Sequence, residues 1–241
     1  MLVFYLFNFD YSDPLQRVAG ITGIILIALP IIFLLFLKKP LMRYPSFKKV
    51  WKIVLGLYLV TILIFFLLAT FGFYRAYEAE RTQEAIERIE SRKITLADVM
   101  GDNLPPAPDK ALNDSTVAGI DSNNNAIRDD VELAIFEKYP DSARIRAAML
   151  QYAQALQLEL TEVFNSETLV RILQKNSYAA ICMGKVGSSN FTDSLYDETK
   201  NLVIDIDLRK KIESSNLKKY LTTYSSSPGS YCDLDVLSLP N

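Results

Sequence analysis

"IVLGLYLVTILIFFLLATFGFY", residues 53–74, runs for twenty-two residues without a charged side chain. Such a run is either the buried helix of a large soluble domain or a membrane span. A helix of about 20 residues crosses a hydrocarbon core of about 30 Å. A second uncharged run, Val18–Leu37, spans twenty residues. The rest of the 241-residue chain is too short to cover two such helices, so both read as spans. The first is not a cleavable signal peptide, because Asp10 and Asp13 precede it and no small-residue cleavage site follows. Pro30 falls inside it, where neighbouring groups can satisfy the freed backbone, and Gly20 and Gly23 would permit close approach of the second helix.

Between the spans lies "KKPLMRYPSFKKVWK", residues 38–52, with six Lys or Arg and no acidic residue. Basic loops stay on the cytoplasmic side, which places both termini outside. In a Gram-negative bacterium this is a multi-pass inner-membrane protein with its long carboxyl-terminal part in the periplasm. The charge distribution agrees. Residues 1–74 carry seven Lys/Arg against two Asp, a net of +5, whereas residues 75–241 carry nineteen against twenty-six Asp/Glu, a net of −7. An acidic soluble part argues against nucleic acid as its partner.

The chain has no histidine. That removes Ser-His and Cys-His nucleophile pairs and imidazole metal sites, and the expectation is that the protein is not an enzyme. Cys182 and Cys232 are the only cysteines. In an oxidising space they would form a disulfide whose loop closure is worth on the order of 4 kcal/mol. In a reducing cytosol they would instead be two buried thiols.

The expected fold is mainly α: a transmembrane hairpin, a helical stalk and a small helical extracytoplasmic domain. Its segments are a short outer tail (1–17), a span (18–37), a basic loop (38–52), a span (53–74), a solvated helical stalk (75–100), a Pro-rich linker (101–118) and the domain (119–241). Pro105, Pro106 and Pro108 end any helix entering the linker. Within the domain, Val131–Tyr139 reads as a helix stopped by Pro140. Asp141 is a candidate N-cap for a long helix bearing Ile145, Met149, Tyr152, Leu156, Leu160 and Val163 at spacings of three or four. Ser166 is a candidate cap for the next, which ends near Gly184, and Thr192–Leu221 reads as two more, the second capped by Asp205 or Asp207. The tail after Ser225 reads as irregular and held by Cys232. The pairs Asp205/Asp207 and Asp233/Asp235 are available for acid–base work, with capping or solvation the plainer reading.

The chemistry-bearing stretch is "DSNNNAIRDDVE", residues 121–132. Calcium takes six to eight oxygen ligands, and a loop supplies them by alternating ligands with connecting residues. Counted as a twelve-residue loop, Asp121 is at position 1, Asn123 at 3, Asn125 at 5, Asp129 at 9 and Glu132 at 12, with the Ile127 carbonyl at 7. The alternative is an Asn-rich turn in which Asp129 caps the following helix. The stretch resembles the calcium loops of the EF-hand superfamily, nearest to single-loop bacterial forms and to thrombospondin type-3 and dockerin repeats. With "IRDDVELAIFEKYPDSARIRAAMLQYAQALQ" included, the resemblance extends to uncharacterised secreted or membrane-anchored bacterial proteins. By that resemblance Asp121, Asn123, Asn125, Ile127, Asp129 and Glu132 are metal ligands, and no activity is implied.

Three features depart from a full EF-hand. "NDSTVAG" is too short and β-branched for an entering helix. The apolar residue is at position 7 rather than 8, as in type-3 repeats. Ala126 holds position 6, where glycine makes the sharp turn, and a left-handed Ala costs about 1–2 kcal/mol. Only three ligands carry formal charge, so a dissociation constant on the order of 10⁻⁴–10⁻³ M is expected, with a structural role for the ion. The expected partners are the lipid bilayer and a protein of the cell envelope. The chain thus reads as an interaction or accessory protein of an envelope complex, or an immunity protein against a periplasmic toxin. A calcium-dependent envelope enzyme is the remaining alternative.

Overall fold

The structure, a computed structural model, describes residues 45–223 and 231–241. The outer tail, the first uncharged run and residues 38–44 of the basic loop lie outside the described residues. Among those described, the architecture is mainly helical, with eight helices and no strand: α1 (Pro45–Ser91), α2 (Leu96–Met100), α3 (Lys110–Asn113), α4 (Asp129–Lys138), α5 (Ala143–Thr161), α6 (Ser166–Met183), α7 (Ser189–Val203) and α8 (Asp207–Tyr220). The chain divides between Tyr77 and Glu78 into two units.

In the first unit, α1 is long and apolar enough to cross a membrane. Its side chains there are exposed: Leu57 and Leu68 are each 65% accessible. The hydroxyls of Thr61 and Thr70 donate to the carbonyls of Leu57 (2.7 Å) and Leu67 (2.9 Å) of the same helix, which suits a medium without water. The helix starts at Pro45, a residue tolerated in a first turn, so "PSFKKVWK" is already helical where a loop to residue 52 is expected.

In the second unit, the carboxyl-terminal part of α1 is packed rather than solvated. Thr82, Ala85 and Ile89, spaced three and four apart, form one buried stripe. Ile89 meets Leu158 and Ile172, the Thr82 hydroxyl accepts from Asn165 Nδ2 at 2.7 Å, and the Arg81 guanidinium lies 4.1 Å from the Phe164 ring centre. The expected continuous stalk to residue 100 breaks after Ser91. Lys175 Nζ donates to the Arg92 carbonyl, a cation at a helix carboxyl end, and Asp233 Oδ2 accepts from Ile94 N–H at 3.0 Å. Thr95 and Asp98 then form a capping box that opens α2.

α5 is the centre of this unit, with fifteen of its nineteen residues buried. Its apolar side chains, Met149, Leu150, Leu156 and Leu160, join Ile127, Val131, Ile135, Leu195 and Val203 in the main core. Its polar side chains reach the backbone of loops and of the last turn of α2. Arg146 Nε donates to the Val99 carbonyl (3.0 Å), Gln154 Nε2 to Asn125 (2.8 Å) and Gln157 Nε2 to Ala118 (2.7 Å). Gln151 donates to the Tyr231 carbonyl (2.8 Å) and accepts from Asp233 N–H (3.1 Å). Buried loop backbone must find partners, and one helix supplies them to four segments.

The cap positions sit one residue from those expected. Ser142, not Asp141, accepts from Ile145 N–H, and Asn165, not Ser166, forms a capping box with Thr168. α8 opens at Asp207 after Ile206 with no side-chain cap. Cys182 and Cys232 are joined, with Cα atoms 5.3 Å apart, and Val236 and Leu239 of the tail enter the main core. The Pro-rich linker contains the short helix α3, capped by Asp109, and its Asn113 is buried.

Candidate functional site

Residues 121–132 form a closed loop at the start of α4. Its base is sealed by Asp129 N–H donating to the Ile120 carbonyl at 2.9 Å. Inside, Asp121 accepts from the N–H groups of Asn125 (3.2 Å) and Ala126 (2.9 Å). Asn123 Oδ1 accepts from Asn125 N–H (3.3 Å), and Asn125 Oδ1 from Ile127 N–H (2.9 Å). These side-chain-to-backbone bonds fold the chain around the two acids, and two residues adopt positive φ to do so: Asn124 at 58° and Ala126 at 66°. The left-handed Ala126 is the strained position 6.

The second acid comes from the helix. Glu132 accepts from Asn123 Nδ2 (3.1 Å) and Asn125 Nδ2 (2.7 Å), so Asp121, Asn123, Asn125 and Glu132 share one cluster. Burial pushes Glu132 up to about 7; the two amide donors oppose this, while Asp121 and Asp98 add to it. Burial also raises Asp121. Of the other two candidate ligands, Asp129 stands close enough to Asp121 to act on it electrostatically. Asp129 spends both oxygens on Ser122, at 2.8 Å to N–H and 2.6 Å to the hydroxyl, and does not cap α4. The Ile127 side chain is fully buried in the main core and anchors the loop.

Among the described residues, no three Asp, Glu, Cys or His side chains converge as a metal-holding group. The loop offers two carboxylates and two amides instead, an oxygen donor set that suits calcium. A buried carboxylate with only neutral donors is the environment a divalent cation would relieve. By this test the residues fit the ion. The loop also lies where three segments meet. Arg92 Nη1 donates to the Asn124 carbonyl, Asn123 Nδ2 to that of Asn103 (2.9 Å), and Gln154 to that of Asn125.

Sequence reasoning missed the adjoining charge network. Arg128 and Arg209 are both fully buried. Arg128 makes a two-pronged contact with Asp130 (2.8 and 2.9 Å), reaches Asp205 at 3.1 Å, and donates to the carbonyls of Leu202 and Val203. Arg209 binds Asp205 at 2.7 Å and the carbonyls of Asn113, Thr116 and Val117. Asp205, considered above for acid–base work, is therefore the shared counter-ion of two arginines, and Asp207 is solvated. Asp233 and Asp235 hold the backbone N–H groups of Ile94 and Leu237. Gly119 precedes the loop with φ 68°, and a Cβ there would stand 2.3 Å from Arg128 Cδ. Only the absence of a side chain lets the arginine pass. Comparison with protein-family models, with curated proteins and with solved structures found no match.

Proposed function

We propose that this is a membrane-anchored interaction protein of the bacterial envelope, in which a hairpin of residues 18–74 holds a helical domain outside the cytosol. In this reading the loop 121–132 binds one calcium ion structurally. The observation that carries the anchoring is α1: an apolar helix with its leucines exposed is stable only in a non-aqueous surrounding, and the unit that follows has its own core. The disulfide supports an oxidising compartment, and the basic loop supports its sidedness.

The metal reading rests on Asp121, Asn123, Asn125 and Glu132 being gathered around one point. Asp121 and Glu132 are the negative ligands in this reading; Asn123 and Asn125, whose amide nitrogens face Glu132, would turn their oxygens to the ion, which would fasten α4 to the segments at Asn103 and Arg92. An accessory role is favoured over catalysis because, of the acids outside the loop that were candidates for chemistry, Asp205, Asp233 and Asp235 hold arginines or backbone and Asp207 is solvated. The test has two parts. A periplasm-only reporter fused after Asn241 is expected to be active; activity of a cytosol-only reporter instead would overturn the topology. Affinity capture from detergent-solubilised membranes, with calcium or with chelator, is expected to recover a stoichiometric protein partner that chelator weakens. Recovery of no partner under either condition would overturn the interaction reading.

A further inference from the structure

Glu159 is the one acidic side chain buried within α5, and it is only 4% exposed. Among the described residues it has no ion-pair partner. Its Oε2 accepts from Asn176 Nδ2 of α6 at 3.1 Å, while Asn176 Oδ1 is buried with no partner. The groups facing it from the other helices offer it no ion pair. On α7, Lys200 is engaged by Glu213 of α8 at 2.8 Å, and Glu213 is itself a like charge toward Glu159. Tyr152 of α5, edge-on to Tyr196 of α7 with ring centres 4.9 Å apart, is close by and neutral. An ionised carboxylate buried without a cation costs several kcal/mol, and an amide oxygen buried without a donor costs about 1–3 kcal/mol. One proton removes both costs.

We propose that Glu159 is a proton-operated latch for α8. Neutral, it closes an acid–amide pair with Asn176, donating its O–H to Oδ1 while Oε2 keeps accepting from Nδ2. When the proton leaves to solvent, the new carboxylate faces Glu213 and loses the acid–amide pair. α8 is the element that gives way, because it is weakly held. Only Arg209 of its residues is fully buried, and its second half is tied down by the Glu213–Lys200 pair and by Asn216 Nδ2, which donates to the Glu159 carbonyl at 2.8 Å. Burial first, then Glu213, pushes Glu159 up to about 7 from the ordinary 4.5, while Asn176 and Lys200 oppose. The linkage sign follows for a raised acid. Its contribution is complete below 4.5, and it is lost as pH rises through about 7.

The test is amide hydrogen exchange by mass spectrometry on the full chain in detergent micelles, from pH 5 to pH 9, corrected for intrinsic rates. In the natural sequence, amides of residues 212–220 are expected to lose protection at least tenfold as pH rises, with a midpoint near neutrality. Glu159→Gln keeps the amide partner and cannot ionise, so its profile is expected to be flat. Glu213→Gln removes the facing charge and frees Lys200, so the midpoint is expected to move down. Glu159→Gln responding like the natural sequence would overturn the latch. So would an unmoved midpoint in Glu213→Gln, which remains informative if the first variant does not fold.

Discussion

The two helices that dominate this molecule handle polarity in opposite ways. Over residues 53–74, α1 leaves its leucines and phenylalanines exposed and turns the hydroxyls of Thr61 and Thr70 inward to its own carbonyls. α5 does the reverse, burying Arg146, Gln151, Gln154, Gln157 and Glu159. A polar side chain follows the unpaired backbone available to it. In α1 the threonines return to carbonyls of their own helix, and in α5 the polar groups reach the carbonyls of Val99, Asn125, Ala118 and Tyr231. Hydropathy alone identifies the first kind of helix and misplaces the second.

The same substitution in both helices gives the largest contrast. Leu150→Ala in α5, at a position with no exposure, is expected to lower the stability of the folded unit by about 2–5 kcal/mol in chemical denaturation. Leu63→Ala in α1 should shift that transition by less than about 0.5 kcal/mol; equal effects would mean that α1 is part of the same core. Next comes Leu63→Arg, which should cost about 2.5–3.5 kcal/mol of membrane insertion and move protein into the carbonate-extractable fraction, while the same change at exposed Leu112 leaves partitioning alone. Gln154→Leu preserves bulk but deprives the Asn125 carbonyl of its donor. A loss of about 1–3 kcal/mol is expected, together with weaker calcium binding by calorimetry; an unchanged protein would show that the glutamine spoke is dispensable. Smallest is Ala126→Gly. Removing the side chain at φ 66° should raise stability by about 1 kcal/mol and tighten calcium binding, and weaker binding would remove position 6 from the account.

Much of this fold was legible in the residues. Pro140 and the spacing of Ile145, Met149, Leu156 and Leu160 place α4 and α5, and the alternating oxygen-bearing side chains from Asp121 to Glu132 mark the loop. Capping residues were less legible, because Asp141 and Ser142, or Asn165 and Ser166, are adjacent and equally able to accept. The buried face of α1 was hidden by its economy: Thr82, Ala85 and Ile89 look like scattered small residues among charges. The three glutamines of α5 recur every third residue, but glutamine serves water and backbone equally, so only the partners decide. Arg128 and Arg209 carried no signal either, since long cations usually face solvent. The lone acid among Leu158, Leu160 and the alanines was the available hint of Glu159.

Gly119 and Arg128 have a consequence for how such a chain can diverge. The stem of the arginine whose guanidinium faces Asp130 and Asp205 passes through space that any Cβ at 119 would occupy. Descendants of this sequence can therefore exchange the glycine only after the Arg128 stem and the Asn113 amide oxygen have moved aside, and if the arginine is lost Asp130 loses its counter-charge while Asp205 keeps Arg209. Gly119, Arg128 and Asp130 are in effect one inherited character, and an alignment in which they vary independently would show that this packing had been remade.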